Sequence, residues 1–84
     1  MIKILYFARL REELNCEKEE LKYSDHTLTV EALLSFLRSR GKPWSEALSS
    51  NKRIMVAINQ EVSPIEAKIN KQDEIALFPP VTGG

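Results

Sequence analysis

The residues with the plainest chemical use are the last two, Gly83 and Gly84. Two glycines in succession give the thinnest and most pliable backbone a chain can offer. The carboxylate of Gly84 therefore has no side chain to keep it out of a partner's pocket. Pro79 and Pro80 stand ahead of it. Their fixed φ and missing N–H groups end a strand and hold the next stretch extended. A strand, a stiff spacer and a bare diglycine read as a reactive tail presented to another protein. The plain alternative is a frayed terminus. From Pro79 to Gly84 the chain spans about 20 Å when extended. That is enough to enter a neighbouring subunit and more than chemistry on its own surface would need.

Other reactive side chains are sparse. Cys16 is the one cysteine, so no internal disulfide forms, and no Cys/His cluster has metal-ligand spacing. With no histidine near it, Cys16 reads as a partly buried small hydrophobe rather than a sulfur relay. His26 reads as a solvated turn residue, and Glu17, Glu19 and Glu20 as a solvated edge. Arg9 and Arg11, near the first strand, are available to pair with a partner. No paired carboxylates or Ser-His-Asp set is present, so the chain is not expected to be catalytic alone.

Composition narrows the partners. Eighty-four residues make one domain, and 12 basic residues balance 12 acidic ones. No charge excess points to nucleic acid or to an anionic membrane. No segment approaches a transmembrane length. The run from Ile2 to Ala8 is short for a signal peptide and is interrupted by Lys3. A cytoplasmic location is expected.

The elements that must position the tail follow from pattern. Ile2 to Ala8 is β-branched and aromatic and predicts a strand. Leu10 and Leu14 predict a short helix over Arg9 to Leu14. Glu17 to Tyr23 suits a strand pairing back on the first, and Ser24 to His26 a turn. The main helix is expected from Val30 to Arg40, capped by Thr29, with Val30, Leu33, Leu34 and Leu37 as its apolar stripe. Pro43 to Leu48 suits one helical turn. Ile54 to Ile58 reads as a central strand buried on both faces, and Glu74 to Phe78 as the last strand. The expected architecture is α+β, with a mixed sheet and one main helix packed across one face. It divides into a domain over residues 1–78 and an extended tail over residues 79–84.

One helix covers one face. Lys3, Leu5 and Phe7 share a side of the first strand opposite Ile2, Ile4 and Tyr6. Lysine is rarely buried, so the odd-numbered side should face away from the helix, with Phe7 on it. The same parity sets Ala76 and Phe78 against Ile75 and Leu77. An uncovered face bearing aromatics at the root of the tail marks a partner surface. The alternative is that the loop from Pro43 to Arg53 folds over it.

With these pieces in hand, the chain resembles the small, sulfur-carrying subunits of molybdopterin synthase, a ubiquitin-like β-grasp family. The resemblance is carried by Ile2-Lys3-Ile4-Leu5-Tyr6-Phe7-Ala8 with Arg11-Glu12, by Thr29-Val30-Glu31-Ala32-Leu33, by Val56-Ala57-Ile58-Asn59-Gln60, and most specifically by Asp73-Glu74-Ile75-Ala76-Leu77-Phe78-Pro79-Pro80-Val81-Thr82-Gly83-Gly84. It implies that Gly84 is adenylated and becomes a thiocarboxylate, and that Gly83 lets the tail pass a narrow tunnel. It implies an ATP-dependent adenylyltransferase, a sulfurtransferase and the synthase large subunit as partners. Sulfur would pass to a cyclic pyranopterin phosphate. No cofactor would be bound, since ATP serves the adenylyltransferase. Phe7, Arg11, Val62, Phe78, Pro79, Pro80, Val81 and Thr82 would touch partners. Val81 to Gly84 are expected to be mobile alone and ordered in a complex. One departure is Gln72, where the family usually has glycine in the turn before the last strand, so a different turn shape is expected. Alternatives are a carrier for thiazole or tRNA sulfur, a protein modifier joined through Gly84, and an adaptor with an inert tail.

Overall fold

The computed structural model describes residues 1–22, 28–49 and 52–80. Strand β1 (Ile2–Tyr6) leads into helix α1 (Ala8–Leu14), then strand β2 (Lys18–Leu21), helix α2 (Val30–Arg38), helix α3 (Trp44–Ala47) and strands β3 (Met55–Ile58), β4 (Glu61–Val62) and β5 (Glu74–Phe78). The sheet order is β2-β1-β5-β3-β4. β1 runs parallel to β5, and the other pairings are antiparallel. This is the α+β arrangement expected, a mixed sheet gripping a main helix.

Helix α2 forms for the reasons its sequence gives. The Thr29 hydroxyl accepts the Ala32 N–H at 3.1 Å, satisfying a donor left free in the first turn. Val30, Leu33, Leu34 and Leu37 are all buried. They meet Ile2, Ile4 and Tyr6 of β1 and Ile75 and Leu77 of β5 in one core. Helix α1 adds Leu10 and Leu14 to that core, and the α3 segment adds Ala47 and Leu48. So the segment after Pro43 packs on the helix side and leaves the other face of the sheet open.

Two expectations are corrected. The strand containing Val56 and Ala57 is an interior strand with both of those residues buried, as expected, but it lies one place from the centre, which β5 occupies. Ile75 and Leu77 of β5 are completely buried, in the core with the apolar stripe of α2. The turn before β5 was expected to avoid the left-handed conformation, yet Gln72 adopts it, with φ at 69°. Hydrogen bonds around it hold the turn. Asp73 accepts the Asn70 N–H through Oδ2 at 2.8 Å and the Asn59 side-chain N–H through Oδ1 at 3.0 Å. The Asn59 oxygen in turn accepts the Glu74 N–H at 3.0 Å. Asn59 and Gln60 both have positive φ and close the two-residue hairpin between β3 and β4.

Candidate functional site: the open sheet face and the tail root

Register assembles the open face row by row. Leu5 of β1 lies beside Ala76 of β5, Ala76 beside Ala57 of β3, and Ala57 beside Val62 of β4. Partners in register share a face, so these four form one apolar row across the sheet. One row nearer the tail, Phe78 pairs with Met55. Phe7 follows Tyr6, the partner of Leu77, and so flanks Phe78 from the other side.

Exposure follows this geometry. Phe7 is 44% exposed and Val62 61% exposed, among the largest apolar side chains left open. Phe78, Pro79 and Pro80 are half-buried. Val62, Phe78 and Pro80 line one shallow groove with Met55 and Arg53. The sequence-predicted residues Phe7, Val62, Phe78, Pro79 and Pro80 are therefore gathered around the point where β5 ends. Val81, Thr82, Gly83 and Gly84, with their expected mobility, lie outside the described residues, as does His26.

The backbone holds Phe7 from two directions. Its N–H donates to the Leu77 carbonyl at 3.1 Å, and its own carbonyl accepts the Leu10 N–H at 3.2 Å. Ala8, with φ at 54°, turns the chain abruptly out of the sheet into α1. That conformation costs an alanine about 1–2 kcal/mol. Arg11 sits one turn further along α1, exposed and with no ion pair to a described residue.

A second polar cluster lies on the helix side, and sequence reading missed it. The Arg40 guanidinium grips Glu19 with two bonds, 2.7 Å to Oε1 and 3.0 Å to Oε2. The Tyr6 hydroxyl donates to the same Oε2 at 3.1 Å, and the Cys16 thiol lies 3.8 Å from it. The guanidinium also stacks 4.5 Å from the Trp44 ring centroid. Glu19 is thus a paired, largely enclosed carboxylate, not part of a solvated edge. Arg40 holds it below the usual carboxylate range. Burial, reinforced by the Glu19 charge, pushes the Cys16 thiol up. A thiol kept protonated is a poor nucleophile, which argues against a sulfur relay through Cys16. The expected pairing of β2 beside β1 sets Glu19 on the helix side, but nothing local in the sequence signals that Arg40 meets it there.

Among the described residues no group of three or more His, Cys, Asp or Glu could hold a metal ion. No helix among them is long and apolar enough to cross a membrane.

A mixed five-stranded sheet gripping one main helix, with its central strand running out into a diproline at the chain's end, defines a ubiquitin-like β-grasp protein. The chain belongs to the ThiS family, whose model matches residues 4–84. It is 42% identical over the full length of both chains to the molybdopterin synthase sulfur carrier subunit of Haemophilus influenzae. Among solved structures it resembles the small archaeal modifier protein 1 of Haloferax volcanii, at 27% identity and a TM-score of 0.74, covering 95% of this chain and 97% of that one. It shares its fold with subunit 1 in a complex of subunits 1 and 2 of the molybdopterin-converting factor from Helicobacter pylori. That match has 20% identity and a TM-score of 0.65, covering 99% and 97% of the two chains.

Proposed function

We propose that this chain is the sulfur-carrying subunit of a molybdopterin synthase, and that Gly84 is its reactive residue. The observation that carries the reading is the apolar face made by Leu5, Phe7, Met55, Val62 and Phe78, continuous with the Pro79-Pro80 exit toward Gly83-Gly84. The full-length likeness to a sulfur carrier subunit supports the same reading.

The chemistry follows from the terminal group. A terminal carboxylate is ionised at neutral pH and is a poor electrophile. Transfer of AMP from ATP makes an acyl adenylate and releases pyrophosphate. Sulfide-level sulfur (HS−) from a donor then attacks the acyl carbon, AMP leaves, and a thiocarboxylate remains. Its ionised sulfur forms a C–S bond to an electrophilic carbon of a cyclic pyranopterin phosphate bound by the large subunit, while a C–O bond at that carbon breaks and its oxygen leaves with the bonding electron pair. Water cleaves the resulting thioester, which leaves the sulfur on the pterin and restores the Gly84 carboxylate. Covalent carriage divides one hard transfer into easier ones. The adenylyltransferase, the sulfurtransferase and the large subunit supply the catalytic groups. This chain supplies the docking face through Phe7, Arg11, Val62 and Phe78, the spacer through Pro79 and Pro80, and the threading segment through Val81, Thr82 and Gly83.

Intact-mass spectrometry of the protein from its native host tests this. A population with one oxygen replaced by sulfur at Gly84 supports the carrier. A second reading, a modifier joined to other proteins through Gly84, is favoured by the likeness to a small archaeal modifier protein. It requires covalent conjugates in the same sample, and conjugates without thiocarboxylate would overturn the carrier reading.

A further inference from the structure

We infer that Arg53 is a docking determinant, meeting a carboxylate on the surface of the subunit that receives the tail. The inference rests on the carrier reading above. Met55 lies beside Phe78, so the alternation of β3 carried two residues back sets Arg53 on the same open face. There it lines the groove with Met55, Val62, Phe78 and Pro80. The other four are apolar, so its guanidinium is the one charge among the described lining residues. Arg53 is exposed. The ion pairs among the described residues lie elsewhere, at Arg9–Glu13, Glu19–Arg40 and Lys42–Glu46.

A cation on the rim of an apolar surface has a definite preference. When the surface is covered, the guanidinium loses water, and that loss is unfavourable unless an anion takes its place. Arginine suits a carboxylate because its planar fork makes two parallel bonds and is weakly hydrated. In the carrier reading the face that Arg53 lines is the one the large subunit covers, so the anion that replaces its lost water is a carboxylate on that subunit's surface. Neighbouring Lys52 faces a different cleft, lined by Glu31, Leu34 and Arg38 on the helix side. It provides a control of equal charge outside the docking face.

The test is titration of the full chain and its Arg53→Gln, Arg53→Glu and Lys52→Gln variants with purified molybdopterin synthase large subunit, at low and high salt. Arg53→Gln should weaken binding about fivefold at low salt, mainly through a slower on-rate, and flatten the salt dependence. Arg53→Glu should weaken it further, and Lys52→Gln should match the unaltered chain. Equal binding by Arg53→Gln and the unaltered chain overturns the inference and leaves the carrier reading standing. Equal losses in Arg53→Gln and Lys52→Gln also overturn it, by showing an effect of net charge. An unaltered chain that does not bind the large subunit at all overturns the carrier reading and this inference together.

Discussion

Replacing Phe7 with alanine divides one side chain's energy between two measurements. The change removes about 150 Å² of apolar surface, worth close to 4 kcal/mol at roughly 25 cal/mol per Å² if wholly buried. Phe7 is 44% exposed in the isolated domain, so a little over half of that is already spent on folding. The variant should therefore lose about 2 kcal/mol of stability, a fall of roughly 10 °C in Tm for a domain of this size. The remaining 1.7 kcal/mol or so is open to a partner and corresponds to a nearly twenty-fold rise in Kd for the large subunit. Urea unfolding gives the first number and calorimetric titration the second. A full stability loss with unchanged Kd would show that the ring serves only its own domain. The face would then not be the docking surface.

Deleting Gly84 should abolish thiocarboxylate formation and synthase activity while leaving Tm unchanged, since the core ends at Leu77; retained activity would refute the carrier mechanism. Gln72→Gly should raise stability by about 0.5–1 kcal/mol in urea, because glycine relieves the left-handed strain at φ 69° but loses more freedom on folding. Glu19→Gln should destabilise the fold at neutral pH by about 1 kcal/mol. Arg40 depresses the Glu19 pKa in the folded state, so the pair's contribution is complete above the ordinary glutamate value of 4.5 and is lost as pH falls through the depressed value. The variant's stability should accordingly fall less steeply in acid than that of the unaltered chain. The same variant removes a charge that raises the Cys16 pKa, so Cys16 should alkylate faster at pH 8, measured by iodoacetamide labelling.

The parts legible in the sequence are those written in local periodicity. The stripe of Val30, Leu33, Leu34 and Leu37 and the Thr29 cap are one-turn signals, and both are present as read. Alternation in β1 separates buried Ile2, Ile4 and Tyr6 from exposed Lys3 and half-buried Leu5, and Phe7 just beyond the strand continues the exposed side. Register is less legible. That Ala57 lies beside both Ala76 and Val62 depends on a hairpin closed by two positive-φ residues, Asn59 and Gln60, neither of them glycine. The shape of the Gln72 turn is hidden for a related reason. Intrinsic preference disfavours its φ, but bonds from Asp73 to Asn59 and Asn70, remote or non-repetitive in sequence, hold the turn. Arg53 ends the loop that the sequence offers as a cover for the sheet, and only the register of Met55 with Phe78 puts it on the open face. The Glu19–Arg40 pair spans 21 positions and has no sequence pattern at all.

The position of β5 bears on how the domain withstands force. The strand that continues into the tail is bonded along its length to β1 on one side and β3 on the other. A pull on the tail, as when a partner closes over it or releases it, runs along the strand axis. It loads both ladders in shear, so many bonds resist at once, whereas a tail drawn from edge strand β4 would peel away one bond at a time. Tension should therefore leave the core folded and fall instead on the partner's grip. In the proposed carrier role this would let one domain pass from one enzyme to the next without unravelling, and it should appear in single-molecule pulling as a higher rupture force through the C-terminus than through β4.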